Sequence, residues 1–432
     1  MRTVSKTVIG VDFGTQSARA VLVNAENGEI IYSCRKEYPY NSTPVPAIDC
    51  AENLPCATDY EMTLYELLRN VIPEEYRKTV AGICIDATSL TMVLLAEDGR
   101  ALSELDGWSE AAHARVKLWK YHRAQEKADE ALNLASNLQE PFLGRTGGSI
   151  SCEWMLPKLL EVRDEAPEIY SKIDLAMDLC EFLTFRLTGQ LVRSIGSLSY
   201  KCLWAEDLSF PERTFLNGLR AGFYEEYCHF LRGDVRKPGE CAGMLRSELT
   251  KRWGLPEQIP VATGMLDGHT SLATMGAFEP GDAALIVGTS NVCTVQDRKL
   301  QELKDVCGVA QEGMVTGSCG IDTGQSSTGN MLGWFVEHMA GWQIHREAEE
   351  RKIAPHQVLA ERIQKPWENK VIAVDWWSGS RNAPCDLTLR GSMSGLEMDT
   401  KTEDIYLALL QAIACGTGTI LESLSGQGVE IG

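Results

Sequence analysis

The segment from Asp12 to Arg19 carries residues that could handle phosphate. A carboxylate at the end of an apolar stretch is followed by a glycine turn with hydroxyl and amide side chains, and then by a basic residue. Backbone N–H groups in such a turn can point at phosphate oxygens, while the carboxylate positions Mg²⁺, usually through water. The structural alternative is a plain β-turn capped by Asp12. The candidate ligands of this segment are Asp12, Gly14, Thr15, Gln16, Ser17 and Arg19.

A second turn of the same kind lies at Gly288, Thr289 and Ser290. The sequence VDFGTQSARAVLV from Val11 and the sequence LIVGTSNVCTVQ from Leu285 both read as strand, Gly-Thr turn and strand. This weak internal repeat predicts a duplicated α/β domain whose two turns contact the same phosphates. A GxxxxGK[ST] phosphate loop does not occur in the sequence, so a nucleotide would need this different cradle.

A third candidate is Asp267, which follows the apolar segment Ile259 to Ala262 after a short turn. A carboxylate at the end of a strand can accept the proton of a hydroxyl group while that oxygen attacks a phosphoryl group. The competing interpretation is that Asp267 caps a helix beginning near Gly268.

The elements that must position these residues are predicted from periodicity and turn residues. The segment Asp234 to Gln258 has no strong period and is interpreted as an inter-domain passage. Predicted strands are Thr7–Phe13, Ser17–Asn24, Glu29–Lys36, Thr79–Asp86, Ile259–Ala262, Ala283–Gly288 and Val292–Val295. Predicted helices are Asp59–Asn70, a polar run Ala111–Asn137, two helices within Glu153–Thr188, Thr328–Ala340 and Glu403–Ser423.

Composition narrows the class of protein. With 41 basic and 60 acidic residues the net charge is −19, which disfavours binding to nucleic acid or to an anionic membrane. The N-terminus has no signal-peptide pattern, and no stretch of about 18 uncharged apolar residues is seen. The 14 cysteines lie singly, without CxxC pairs or metal-site spacing. We therefore expect a cytoplasmic protein without a nucleic-acid or membrane partner.

The paired turns resemble the two phosphate loops of the actin, sugar kinase and Hsp70 superfamily. The string Gly391 to Leu396, with Asp404, Ile405, Ala408 and Gln411 downstream, is similar to the C-terminal signature of the FGGY carbohydrate kinases. The resemblance implies an α/β fold with two ribonuclease H-like (actin-like ATPase) domains around a central cleft. It also implies ATP and Mg²⁺ as cofactors, and Asp267 as the catalytic base.

Further strings resemble the ribulokinases within that family. They are LWKYHRAQ from Leu118, GGSISCEWM from Gly147, SYK with Trp204, GIDTGQS from Gly320, and DATSLT from Asp86. By this resemblance the residues that line the sugar are Ser89, Trp119, Lys201, Asp267 and Asp322. Each has a structural alternative: Trp119 could be a core residue, Lys201 a solvated charge and Ser89 a cap.

The resemblance implies phosphorylation of a ketopentose, with L-ribulose converted to L-ribulose 5-phosphate. The alternatives are another pentulose such as D-ribulose or xylulose, or a catalytically incomplete sugar-binding relative. Asp322 stands where ribulokinases carry glutamate, a departure that bears on the choice of sugar and not on the type of reaction. The family continues beyond the position of Gly432 with a Gly-rich adenosine loop, so a C-terminal segment is expected to be missing.

The predicted organisation is a sugar-binding N-terminal domain, residues 1–250, that carries the first phosphate turn. The C-terminal domain, residues 251–432, is predicted to be incomplete and to carry the base and the second turn. The expected partners are a ketopentose and MgATP, and a homodimer is possible.

Overall fold

A computed structural model describes residues 6–38, 54–382, 385–386 and 388–432. The chain divides into two compact units, which are taken separately below. The first unit comprises Met1–Leu143, Ile150–Thr274 and Ala310–Cys319, and the second comprises Gly144–Ser149, Met275–Val309 and Gly320–Gly432.

The strands, in chain order, are β1 (Thr7–Phe13), β2 (Ser17–Asn24), β3 (Ile30–Glu37), β4 (Val80–Ala87), β5 (Met92–Leu95), β6 (Leu175–Asp178), β7 (Val192–Ser194), β8 (Asp234–Arg236), β9 (Cys241–Met244), β10 (Pro260–Ala262), β11 (Met265–Leu266), β12 (Ala283–Val287), β13 (Asn291–Asp297), β14 (Gly308–Gln311), β15 (Cys319–Gln325), β16 (Ile372–Val374) and β17 (Ser392–Ser394). The α-helices are α1 (Ala57–Val71), α2 (Gln125–Leu138), α3 (Met155–Glu165), α4 (Pro167–Tyr170), α5 (Leu179–Thr188), α6 (Ile195–Lys201), α7 (Arg213–Leu219), α8 (Phe223–Phe230), α9 (Ser247–Trp253), α10 (Asp267–Met275), α11 (Gly329–Met339), α12 (Gly341–Arg351), α13 (Pro355–Arg362) and α14 (Thr402–Gly426).

The central sheet of the first unit has the order β3-β2-β1-β4-β10-β9, and β11 also pairs with β4. The first three strands form the antiparallel meander that the sequence predicts, while β4 runs parallel to β1. Alternate residues of β1, from Thr7 to Phe13, are buried, as a strand with one face on the core requires. The strand ends near Asp12 are therefore fixed by a well-packed core.

The polar run predicted as one helix, Ala111–Asn137, is only partly helical. The α-helix covers Gln125–Leu138, and the preceding residues form a 3₁₀ turn and extended segments. Lys117 instead exchanges backbone hydrogen bonds with Met92, at 2.9 and 3.1 Å. Because these bonds draw the chain onto β5, Trp119 lies outside any helix.

The segment Asp234–Gln258 contributes regular structure to the first unit, which extends to Thr274. It contains β8, β9 and α9, and β9 pairs with β10 at the edge of the central sheet. Strands of three and four residues are too short to show a period of two, which is why the sequence pattern missed them.

In the second unit, β12 and β13 form the predicted antiparallel hairpin around Gly288. The sheet order is β12-β13-β15-β14, so β12 is an edge strand. The start of α11 contacts the turn that follows β12, where the Gly329 N–H donates to the Gly288 carbonyl at 3.0 Å. Buried side chains such as Phe335 and Leu409 form a separate core.

Among the described residues one helix, Thr402–Gly426, is long and apolar enough to cross a membrane by length and composition. Its Tyr406 and Leu409 side chains lie in the core of the second unit, although only 28% of its most apolar stretch is buried. The absence of a membrane partner stays a prediction.

Candidate active site

Three carboxylates lie at the same edge of the central sheet. Asp12 is directly opposite Asp86 on the parallel pair β1 and β4. Met265 of β11 is also opposite Asp86, and Asp267 is the first residue after that strand. Because parallel strands end at a common edge, residues about 75 and 180 positions apart in the sequence converge there.

Asp86 is partly buried and interacts with two other carboxylates. Burial raises the pKa of its carboxyl group well above the ordinary range, and the negative charges of Asp12 and Asp267 raise it further. A hydrogen bond between Asp86 and Asp12 contributes in the same direction. Carboxylates that repel one another in this way favour a shared proton or a bound cation.

Asp267 has a pKa raised to about 6, principally because the group is buried. The N–H of Gly268 lowers this pKa, the charge of Asp12 raises it, and the N–H of Ser89 and the ammonium of Lys201 lower it. A carboxylate with a pKa near the working pH can accept a proton and release it again, as a general base must.

Helix α10 begins at Asp267, whose Oδ1 accepts the N–H of Gly268 at 2.7 Å. Its backbone carbonyl accepts the hydroxyl of Thr270 at 2.7 Å. The capping contact that the sequence left open is therefore present. This contact anchors the carboxylate at the sheet edge and is compatible with a role as base.

The first Gly-Thr turn is closed by a hydrogen bond from Gly14 N–H to the Ser17 carbonyl, 3.2 Å. The Tyr38 hydroxyl donates to the Gly14 carbonyl at 2.9 Å, and Trp119 Nε1 donates to Thr15 Oγ1 at 3.1 Å. A Cβ at Gly14 would lie 3.3 Å from the Ser17 carbonyl oxygen, so the turn is tight. The Trp119 contact joins a predicted sugar residue to the predicted phosphate turn.

The remaining residues of the first turn divide by exposure. Ser17 is buried, and its Oγ accepts a hydrogen bond from Arg35 Nε at 3.0 Å. Gln16 and Arg19 are exposed. Arg19 lies opposite Asp12 on the antiparallel pair β1 and β2, so both side chains belong to one face of the sheet.

The predicted sugar residues of the first unit lie in partly or fully buried positions. The Ser89 Oγ atom is buried and has no hydrogen-bond partner among the described residues. Lys201 is 7% exposed at the end of α6, so its interpretation as a solvated surface charge is wrong. Trp119 is half-buried against the core, which leaves part of the indole accessible.

In the second unit, the Gly288 N–H donates to the Ser290 carbonyl at 3.1 Å, and Thr289 is exposed. Asp322 is buried in β15. Burial raises the pKa of the nearby Cys293, and the charge of Asp322 raises it further. The role of these residues alongside those of the first unit stays a prediction.

Asp86 is the member of the carboxylate group that sequence reasoning did not select as a site residue. Its string resembles a family motif, but by itself a carboxylate at the end of β4 has many structural explanations. The parallel register of β1 and β4 would have identified Asp86, because Asp12 and Asp86 occupy equivalent positions at the ends of these neighbouring strands.

The chain is similar to known proteins over nearly its whole length. The model of the N-terminal domain of the FGGY family of carbohydrate kinases matches residues 7–274, and that of the C-terminal domain matches residues 283–432. A ribulokinase of Mycolicibacterium smegmatis is 36% identical over an alignment of 442 residues that covers 99% of this chain and 77% of the relative. A ribulokinase of Halalkalibacterium halodurans is 33% identical over 437 residues, covering 99% and 78%.

Solved structures agree on the fold. A xylulose kinase from Rhodospirillum rubrum superimposes with a TM-score of 0.75 at 20% identity, covering 99% of this chain and 80% of the other. A glycerol kinase from Plasmodium falciparum, solved with ADP, also gives 0.75, at 17% identity with 99% and 80% coverage. The predicted α/β fold of the actin-like ATPase type is confirmed.

The two family models define a sugar-phosphorylating enzyme. The chain belongs to the FGGY family of carbohydrate kinases, as the family resemblance predicted. As a kinase of this family it takes ATP as co-substrate.

Proposed function

We propose that the protein transfers the γ-phosphate of ATP to a ketopentose, with L-ribulose as the favoured acceptor. The observation that carries the proposal is the position of Asp267, a partly buried carboxylate that interacts with Ser89, Lys201 and Asp12 of the first phosphate turn. The relatives named ribulokinase, at 36% and 33% identity, support ribulose over xylulose, and the motif resemblance to the L-ribulokinases favours the L sugar.

In this proposal Asp267 accepts the proton of the sugar hydroxyl as that oxygen attacks the γ-phosphorus in line. The orphaned Ser89 Oγ offers a hydrogen bond to a sugar hydroxyl, since a buried polar atom without a partner is costly. The Trp119 indole supplies the apolar face that a polyol site needs beside its polar groups. The Lys201 ammonium stabilises the negative charge that collects at the acceptor.

The nucleotide phosphates are proposed to contact both Gly-Thr turns, Gly14 to Arg19 and Gly288 to Ser290. Asp12 and Asp86 fit Mg²⁺, because carboxylate oxygens are its usual protein ligands and a cation would relieve the repulsion that raises the Asp86 pKa. When bound, Mg²⁺ neutralises phosphate charge. Within the described residues no group of three or more His, Cys, Asp or Glu side chains could hold a metal directly, which suits an ion that keeps several waters.

Asp322 is proposed to contact a distal sugar hydroxyl from the second unit. Its side chain is one methylene shorter than the glutamate of the ribulokinase motif. A hydrogen bond to the same hydroxyl would need a closer approach, so Asp322 is the position at which we expect sugar preference to differ.

The test is an ADP-release assay with L-ribulose, D-ribulose and D-xylulose, run beside calorimetry of each sugar without nucleotide. Highest kcat/KM with L-ribulose is the expected result. Highest kcat/KM with another pentulose would change the proposed substrate and leave the proposed reaction unchanged. Sugar binding without ADP release would favour the alternative, a catalytically incomplete sugar-binding relative.

The remaining proposals concern partners and location. A net charge of −19 supports a protein that binds neither nucleic acid nor anionic membrane, and single cysteines support the cytoplasm. A homodimer is proposed as the assembly, and light scattering at several concentrations would test it.

A further inference from the structure

The loop that carries Ser89 contains a residue in an unusual backbone conformation. Leu90 has a φ of +62°, the left-handed region that branched side chains rarely adopt. Its side chain is buried in the core, and the loop follows directly after β4 and Asp86. Such a conformation persists only where the surroundings hold it in place.

Two buried charged side chains hold the Leu90 backbone. Asp178 Oδ2 accepts the Leu90 N–H at 3.1 Å, and Lys158 Nζ donates to the Leu90 carbonyl at 2.7 Å. Both side chains are fully buried, Lys158 on α3 and Asp178 at the end of β6. The N–H and the C=O of one residue are thus satisfied from two separate elements.

The same two side chains also bind the segments that carry Trp119 and Lys201. Lys158 Nζ also donates to the carbonyl of Leu118 at 2.8 Å. Leu118 directly precedes Trp119. Asp178 Oδ2 also accepts the hydroxyl of Ser197, at 3.1 Å, on the helix that ends at Lys201. One ammonium and one carboxylate therefore connect three segments that each carry a residue of the proposed sugar site.

Stability alone does not explain this arrangement. Burial of Lys158 is unfavourable enough to lower its pKa to about 7, and burial raises the pKa of Asp178 to about 7. Burial of each charge carries a desolvation cost that its hydrogen bonds must offset. What an apolar pair could not do is hold the backbone of Leu90 from both sides.

We propose that Lys158 and Asp178 are positioning residues for the acceptor site, which hold Leu90 in its left-handed conformation and so direct the Ser89 N–H at Asp267 and fix Trp119. The inference rests on the proposed function in one respect, because it takes Asp267 to be the base. Neither side chain touches the substrate in this scheme, and both act through the backbone.

The effect on Asp267 has a defined sign. Asp12 on β1 and Asp86 on β4 are the negative groups that face it, and Lys201 on α6 is the positive one. The Ser89 N–H is one of the contacts that lower the Asp267 pKa. If Leu90 relaxes and this N–H turns away, the pKa must rise.

The test compares Lys158→Met with Lys172→Met on the exposed surface of the same unit. Lys158→Met keeps the length of the side chain and removes its hydrogen bonds to the carbonyls of Leu90, Lys117 and Leu118. We expect kcat/KM for the pentulose to fall about 10- to 100-fold, as a displacement near 1 Å does. KM for MgATP should stay within about twofold, and the acidic limb of the pH profile should move to higher pH. Lys172→Met should behave as wild type.

Because Lys158→Met could unfold the protein, Asp178→Asn is the second variant, since it keeps the shape of the side chain. Amide hydrogen exchange of Ser89 and Leu90 is measured on both variants without substrate, with the β1 amides as reference. Faster exchange at these two amides alone supports the proposal whether or not the enzyme accepts a pentulose. Unchanged exchange at Ser89 and Leu90 would overturn the positioning role and leave the proposed function intact. The same holds if the variants lose affinity for pentulose and MgATP equally while the acidic limb of the pH profile stays in place.

Discussion

The two Gly-Thr turns share a sequence pattern but differ in their surroundings. The first connects β1 to β2 in the central sheet of its unit, and the second connects β12, an edge strand, to β13. Two residues before the glycine, the first hairpin has Asp12 and the second has Ile286. The repeat therefore predicts the backbone shape of both turns but not their chemistry.

The immediate contacts of the turns sharpen this difference. Around the first turn lie the carboxylates of Asp12 and Asp86 and the Trp119 indole. The second turn rests on the start of α11, where Thr328 Oγ1 and Gly329 N–H donate to the Gly288 carbonyl at 2.9 and 3.0 Å. We infer that the first turn works with a cation and that the second offers neutral N–H groups.

The largest effect is expected at Asp267, which lies at the same edge of the central sheet as the first turn. Asp267→Asn keeps the shape of the side chain and removes the proton acceptor, so turnover should fall about 10²- to 10⁴-fold. Pentulose affinity in calorimetry should be retained. Asp106→Asn, at an exposed carboxylate of the same unit, is the control, and near wild-type turnover of Asp267→Asn would exclude it as the base.

The comparison between the turns is tested directly by Asp12→Ala and Ile286→Ala, which truncate equivalent positions. Asp12→Ala should weaken MgADP binding about 10- to 100-fold, the range for outer-shell metal partners, and leave pentulose affinity unchanged. Ile286→Ala should leave the Mg²⁺ dependence of binding as it is. Loss of sugar binding with nucleotide binding kept in Asp12→Ala would reverse the roles assigned to the two ligands.

A smaller effect is expected at the second turn. A Cβ at Gly329 would lie 2.5 Å from the Gly288 carbonyl oxygen, so Gly329→Ala must displace the turn. MgADP affinity should fall, by less than the about 10²-fold that a 1 Å shift can cost. Titration calorimetry measures it.

Gly333→Ala is the matched control on the same helix, because an added Cβ there meets nothing within 4 Å. This variant should keep its affinity and gain up to about 1 kcal/mol in the free energy of unfolding, since alanine favours helix over glycine. Equal loss of MgADP affinity in Gly329→Ala and Gly333→Ala would show that the second turn does not contact the nucleotide.

The smallest effect is the pH dependence near neutrality. The base must be deprotonated, and the Asp267 pKa is about 6, so kcat/KM for the pentulose should fall as pH decreases through that value. Between pH 7 and pH 6 the deprotonated fraction falls about twofold, and below pH 6 it falls about tenfold per pH unit. A flat profile down to pH 5 would contradict this assignment.

Much of the fold could be predicted because its signals are local. The alternating burial of β1 and β2, and the glycine turns at Gly14 and Gly288, follow from residue type and spacing. The run that includes Trp119 could not be predicted in the same way. Its helix-like composition is overridden by backbone bonds between Lys117 and Met92, which are set by the position of a strand elsewhere in the chain.

For the candidate site, the sequence by itself determined which chemical groups are available, among them Asp12, Asp267 and Lys201. Only the tertiary structure decided which of them meet, because the parallel register of β1, β4 and β11 adds Asp86 to the group. The hold of Lys158 and Asp178 on Leu90 is equally invisible in the sequence. Contacts between residues 68 and 88 positions apart depend on how helices and strands pack, and no local pattern encodes that packing.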